Sequence, residues 1–427
     1  MNGDVRLIRS PLSVAGMVLT TISAVLFLIV FFADLFGLHT NPYIGIVFFL
    51  VLPSLFLLGL ALIPLGAWVE RRRRAAGKAA EAAWPRIDLN DPAQRGTAVL
   101  IFALTMANIV IVSLAAYRGV EYMDSVAFCG QVCHTVMQPE YVAHQHGSHA
   151  NIACIECHTG PGATSFVSAK ASGTRRVFDV LRGTYPRPIV PEPSQLPTAA
   201  ETCEHCHSSA RFSNAQKILR AVEYADDEKN AATTTTVKID LSRVHTHMDK
   251  AIEFVATDKT RQTILSVRMT DGDGRVREFV AKGATPAQIA KGDRRRMDCM
   301  DCHNRPSHGV AATPEAAVNA AMQAGAIPLT LPFVHRESVK ALKAGNPAAL
   351  RNFFATGPRA DVDRAVSAVQ AIYQQNVFPA MKVTFGTYPN NIGHIDSPGC
   401  FRCHDDDHAS SDGKKMGQDC DTCHAIE

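Results

Sequence analysis

The stretch Cys154-Ile-Glu-Cys-His158 places two thiols three positions apart, with an imidazole directly after the second. The same C-x-x-C-H spacing returns at Cys203/Cys206/His207, Cys299/Cys302/His303, Cys400/Cys403/His404 and Cys420/Cys423/His424. A sixth unit, Cys129/Cys133/His134, has one extra residue between its cysteines. Two thiols at this spacing add to the two vinyl groups of haem as thioethers, and the adjacent histidine falls beneath the iron as an axial ligand. All 12 cysteines are used by these six units, so none is left over. Zinc ribbons also pair C-x-x-C units, but they do not require histidine after every second cysteine. A disulfide framework leaves that histidine unexplained as well. The expectation is therefore six covalently bound haem c groups.

The chain has 427 residues, of which 47% are hydrophobic and 19% charged. The apolar excess is concentrated before residue 118. Three uncharged runs, Pro11 to Ala33, Tyr43 to Val69 and Thr97 to Tyr117, are long enough to cross a bilayer, which takes about 20 helical residues. They predict membrane helices over about 11–36, 43–69 and 97–117, the second interrupted by Pro53 and Pro64. Arg6 and Arg9 precede the first run. Arg71 to Arg74, Lys78, Arg86 and Arg95 fall between the second and third. The positive-inside rule makes both regions cytoplasmic and delivers everything after Arg118 to the periplasm of a bacterial inner membrane. Covalent haem attachment is itself periplasmic, so topology and chemistry agree. The first run is too long for a signal peptide, and no small-residue cleavage site follows it. A formal net charge of +3 is too small to argue for nucleic acid as a partner.

The expected fold is mainly α: a three-helix transmembrane anchor (1–117) followed by a multihaem cytochrome c domain with little regular structure. That domain divides into a tri-haem module (118–207), a β-containing insertion (208–298) and a helical tri-haem module (299–427). The first module packs three motifs into a short segment, so the macrocycles themselves should form its apolar interior. Tyr185 to Pro197 reads as an extended connector. In the insertion, Thr234 to Leu241, Ile252 to Ala256, Thr263 to Met269 and Val276 to Val280 read as antiparallel strands, with Asp271-Gly-Asp-Gly274 as a hairpin turn. Thr313-Pro314-Glu315 reads as a helix start and Gly325 as its stop. Further helices are expected over Glu337 to Lys343, Pro347 to Ala355 and Asp361 to Asn376. Asp405-Asp406-Asp407 reads as a solvated turn or a docking patch for a basic partner.

Low-spin haems of this kind take a second axial ligand. Beyond the motif histidines His134, His158, His207, His303, His404 and His424, the candidates are His149, His245, His247, His308, His394 and His408. His205 lies inside an attachment loop and is weaker. His245-Thr-His247 is expected on a strand, with both rings on one side because side chains alternate. Which histidine serves which haem stays open. Met137, three residues after His134, is either a thioether ligand that raises the first haem's potential or an ordinary apolar residue.

Cys129-Gly-Gln-Val-Cys-His-Thr-Val-Met137, then His149, Cys154-Ile-Glu-Cys-His158, Gly160-Pro161 and a helix with Lys170 resemble the NapC/NirT family of membrane-anchored multihaem quinol dehydrogenases. The resemblance covers Cys129 to His207. Longer family-like cytochromes also match the tail from Gly393 to His424. It implies oxidation of menaquinol or ubiquinol beside the first haem and delivery of electrons to a periplasmic cytochrome or reductase. It further implies Met137 as a ligand there, with the other axial site open or taken by a carboxylate, and Lys170 near the quinol headgroup. Family members usually have one membrane helix and four haems, and Arg176 stands where the carboxylate is expected, with Asp179 one turn on. Quinol protons would leave through Glu121, Asp124, Lys170 or Asp179. His39, on the loop between the first two runs, is a further candidate beside the quinol. The competing readings are an electron-conduit subunit of a larger membrane complex, whose quinone site lies on another chain, and a terminal oxyanion reductase. The latter ranks last because no C-x-x-C-K unit occurs.

Overall fold

The computed structural model describes residues 10–35, 51–75, 89–132, 134–160, 162–189, 196–207, 216–270 and 274–426. The chain divides into two compact units, Met1–Val132 and Cys133–Glu427.

The first unit holds α1 (Pro11–Leu35), α2 (Leu52–Ala75) and α3 (Pro92–Met123). Pro11 suits the first turn of α1, where its missing N–H costs nothing. Ser10 Oγ accepts there from the Ser13 amide at 3.1 Å. α1 and α2 pack through small residues. Ser13 Oγ donates to the Ile63 carbonyl at 2.9 Å. A Cβ on Gly59 would run into Thr20 Oγ1 and lie 2.9 Å from the Gly16 carbonyl. Backbones that approach so closely exclude larger side chains, the packing mode of helices in lipid. Leu57 and Leu58 point outward. Among the described residues one helix, Leu52–Arg72, is long and apolar enough to cross a membrane, and Pro11–Phe27 is a shorter apolar helix. Arg72 caps α2 over the Trp68 ring at 4.2 Å, an aromatic–cation pair suited to a membrane–water boundary. The expected loop bearing His39 lies outside the described residues, as do Arg6, Arg9, Lys78 and Arg86.

The second unit begins with α4 (His134–His146) and α5 (Ala163–Arg182), the latter stopped by Gly183 in the left-handed conformation. Among the described residues from 144 to 251, Ala199 is the only buried hydrophobic side chain. Val180, Tyr185 and Ile189 of this stretch pack instead against a cluster built from Val136, Phe378 and Met381. Two antiparallel sheets follow. β1 (Gln216–Tyr224), β2 (Ala232–Asp240) and the C-terminal β8 (His424–Ile426) form the first. The second runs β6-β3-β4-β5-β7, from β3 (Ala251–Ala256), β4 (Ile264–Thr270), β5 (Val276–Val280), β6 (Asp293–Arg296) and β7 (Ala409–Ser410). Both sheets thus take a strand from the last part of the chain. β1 and β6 carry no clean alternation in sequence and are absent from the sequence expectation. Residues 271–273 of the expected hairpin turn lie outside the described residues.

Two local expectations are overturned. His245 and His247 sit not on a strand but on α6 (Leu241–Asp249). Asp240 accepts from the Ser242 amide at 3.0 Å, an N-cap that starts a helix where alternation suggested continued strand. The helices α7 (Pro314–Gln323), α8 (Val334–Lys343) and α9 (Arg359–Asn376) bury Val318, Ile327, Leu331, Val334, Leu350 and Val369. Each fully buried aliphatic side chain contributes roughly 1.5–3 kcal/mol. Thr313 Oγ1 caps α7, accepting from the Ala316 amide at 3.1 Å, and Gly325 follows it at φ +72°. The region expected as a longer helix over 347–355 holds only the single turn Ala349–Phe353.

Candidate metal centres

Each described attachment loop is a tight turn. Cys154–His158 and Cys299–Cys302 are single α-turns, and Cys203–His205, Gly399–Arg402 and Cys420–Thr422 are 3₁₀ turns. The first loop differs as its sequence does. Phe128–Val132 is a π turn, the wider winding that takes in one extra residue. Cys133 lies outside the described residues, and His134 opens α4.

In the third loop the Cys206 amide donates to the Cys203 carbonyl at 3.2 Å, closing the 3₁₀ turn that sets the two thiols of that motif beside His207 in sequence.

Every motif histidine after His134 faces a second imidazole. Ring centres are 6.1 Å apart for His158 and His308, 6.0 Å for His207 and His149, and 6.4 Å for His303 and His245. His404 and His247 stand 6.0 Å apart, as do His424 and His394. An iron held between two imidazole nitrogens, each about 2.0–2.1 Å away, sets ring centres about 6.3 Å apart. The residues fit that group. Among the described residues no cluster of three or more His, Cys, Asp or Glu side chains is placed to hold a metal ion. Two protein ligands per site is what an iron already held by a macrocycle needs.

The second imidazoles are also oriented. His245 Nδ1 lies 2.9 Å from the Leu241 carbonyl and His247 Nδ1 2.8 Å from that of Val244. His308 Nδ1 lies 3.1 Å from the Glu140 carbonyl, and His149 Nδ1 3.3 Å from that of Pro306. A carbonyl at Nδ1 fixes the tautomer and leaves Nε2 as the ligating lone pair. Burial lowers the His158, His303, His308 and His404 imidazoles from their ordinary range, which favours the neutral form a metal requires.

Neighbouring loops touch electrostatically. Burial pushes the Cys157 thiol up, with Cys203 the next cause, and the Cys299 thiol likewise, again with Cys203 next. Cys302 is pushed up to about 11 by burial, then by Cys400, and Cys423 by burial, then by Cys400. The second to sixth loops therefore follow one another in space in the order of the chain.

Other sequence-derived candidates fall elsewhere. His408 is buried with both Asp405 carboxylate oxygens 2.9 Å from its Nδ1, and its Nε2 has no hydrogen-bond partner among the described residues. Asp405 is accordingly a structural anchor, accepting also from the Asp407 and His408 amides, rather than a merely solvated turn. His144 Nε2 is taken by the Ile152 carbonyl at 2.9 Å. Met137 is half-buried on α4 beside the buried Val136. Lys170 lies over the Phe166 ring at 5.1 Å on α5, which also carries Asp179. Glu121 pairs with Arg118 at 2.7 Å and belongs with Asp124 to the first unit; Lys170 and Asp179 belong to the second.

Sequence reasoning missed the residues that hold these rings. Arg305 bonds Glu140 at 3.2 Å with both side chains largely buried. Arg402 donates to the carbonyls of Gly399, Arg261 and Asp301 at 2.9, 2.7 and 2.7 Å. No charge pattern marks the Arg402 tie, because Arg402 bonds the backbone carbonyl of Asp301 while the Asp301 carboxylate pairs with Arg295 and Arg261.

No protein-family model matches the chain, and no solved structure matches it. Cytochrome c-type protein ImcH of Geobacter sulfurreducens is 35% identical over 447 aligned residues, covering 98% of this chain and 88% of that protein. Cytochrome c-type protein NrfH of Wolinella succinogenes is 29% identical over 26% of this chain and 64% of its own length. The cytochrome c nitrite reductase subunit NrfH of Nitratidesulfovibrio vulgaris is 29% identical over 32% of this chain and 85% of its own length. With one such relative over nearly its full length, two more over about a quarter to a third of it, and imidazole pairs at haem spacing, the chain belongs to the membrane-anchored multihaem c-type cytochromes of the NapC/NirT quinol dehydrogenase class.

Proposed function

We propose that this cytochrome oxidises quinol beside its first attachment loop and passes the electrons through six haem sites to a periplasmic acceptor. The observation that carries the reading is the run of five imidazole pairs whose attachment loops follow one another from His158 to His424. Haem, when bound, supplies a one-electron carrier at each site. The chain's own residues do the rest. Twelve cysteines fix the macrocycles by thioether bonds. His158/His308, His207/His149, His303/His245, His404/His247 and His424/His394 would hold the irons in pairs, and desolvation at His158, His303, His308 and His404 favours the neutral imidazole that ligation needs. Met137 is the ligand proposed for the first site beside His134.

The anchor is read as three membrane helices with the amino terminus cytoplasmic, which puts Cys129 a few residues beyond the membrane on the periplasmic side. The carboxylates of Glu121, Asp124 and Asp179 are the proposed acceptors for the two protons that quinol releases, and Lys170 is the proposed contact of the quinol headgroup. The partner receiving electrons is a periplasmic cytochrome or reductase, reached through the Cys400–His424 end.

Stopped-flow absorbance of the detergent-purified protein mixed with a reduced menaquinol analogue tests this. Rapid haem reduction, slowed at least tenfold in Lys170→Met, is expected, because loss of one headgroup contact is worth on the order of 1.4 kcal/mol or more. Reduction by dithionite but not by the quinol analogue would move the quinone site to another chain and leave this one as a conduit.

A further inference from the structure

Eight consecutive residues, Asp301-Cys-His-Asn-Arg-Pro-Ser-His308, touch the ligand set of five sites. His303 itself faces His245. His308 faces His158 of the second motif, and its Nδ1 is held by Glu140, which Arg305 pairs at 3.2 Å. The Pro306 carbonyl accepts from His149, the ring that faces His207 of the third motif. The Asp301 carbonyl accepts from Arg402, inside the fifth loop, at 2.7 Å. It also accepts from Asn391 Nδ2 at 3.2 Å, three residues before His394, the ring facing His424 of the sixth motif. Asn304 completes the last tie from both ends. Its Nδ2 donates to the Pro389 carbonyl at 2.9 Å, and its Oδ1 accepts from the Asn391 amide at 2.9 Å.

We propose that this segment, with Arg402, is a positioning brace on which the axial ligation of the second to sixth haems depends together. The inference rests on the ligand pairs proposed above. Its physical basis is the precision that ligation needs: ligand side chains tolerate displacements of only about 0.5 Å, and the hydrogen bonds above fix these rings and loops to one segment. The side chain of Asp301 is itself immobilised, by Arg295 and Arg261 at 3.1 and 3.6 Å, so its carbonyl is a fixed point. Asn304 and Arg402 never touch the irons they govern. They act through Asn391 and through the Cys400–His404 loop.

Three variants of the full-length protein, read by the ferric spin state and by intact mass, test the brace. His394→Gly should give a high-spin ferric signal that added imidazole removes, with all haems still attached. A His394→Gly protein with no high-spin signal beyond that of the wild type would overturn the ligand pair and the brace with it. Asn304→Ala should reproduce that imidazole-removable signal although residue 304 lies 90 positions from His394. Arg402→Lys, which keeps the charge but loses the fork, should shift the spin state at the fifth site in the same direction. If His394→Gly gains high-spin signal over the wild type while Asn304→Ala and Arg402→Lys both match the wild type, the brace is wrong and the ligand pairs stand.

Discussion

His245 and His247, two residues apart on α6, face different motif histidines: His303 at 6.4 Å and His404 at 6.0 Å. Residues two apart on a helix point about 200° from one another. A strand would have turned both rings to one side and offered both to one iron. The helix instead stands between the fourth and fifth sites and serves each with one ring. His245→Gly and His247→Gly should therefore each give one high-spin site, and the double variant two, because the sites do not share a ligand. His247→Met should raise the potential of one haem by on the order of 0.1 V and leave its neighbour unchanged. Spectroelectrochemical titration measures this. A single variant that perturbs two haems equally would contradict the assignment.

The attachment chemistry was legible because each motif is a contiguous five- or six-residue word with a covalent meaning. Helix α7 was legible too, since Thr313, Pro314 and Gly325 mark its ends by local backbone rules. What sequence could not reveal is long-range: that His308 belongs with His158, 150 positions earlier, depends on how Glu140 and Arg305 pair across the fold. The α6 error has a local cause. The run Thr234 to Leu241 is rich in β-branched residues, and only the Asp240–Ser242 cap, worth more than propensity at that point, turns the chain into a helix.

A pH effect follows from α7 and α8. Hydrogen bonding by Lys343 holds the Glu315 carboxyl below its ordinary value of 4.5. A depressed carboxylate stabilises the fold above its unfolded value, and the contribution is lost as pH falls through the lower folded value. Both side chains are well exposed, so the pair is worth about 0.2–1 kcal/mol. In Glu315→Gln, amides of α8 should exchange up to about fivefold faster at neutral pH. The difference should vanish in acid. Hydrogen exchange across that pH range checks it, and a difference that grows on acidification sinks the idea.

Gly399 and Gly393 look alike in backbone terms, at φ +46° and +71°, but their surroundings separate them. A Cβ at Gly393 meets open space, whereas one at Gly399 would collide with the Gly393 carbonyl oxygen and lie 2.8 Å from its carbon. That carbonyl accepts the Cys400 amide at 2.9 Å, so the contact joins the fifth attachment loop to the residue before His394. Gly393→Ala should cost only the left-handed strain of about 1–2 kcal/mol and keep every haem. Gly399→Ala has no side-chain atom to push aside. Either the Cys400 loop or the His394 loop must move, and the expected result is loss of one covalent haem by intact mass or a high-spin ferric signal at the sixth site. A Gly399→Ala protein with unchanged mass and unchanged spin state would show that the two loops are not held together as this contact requires.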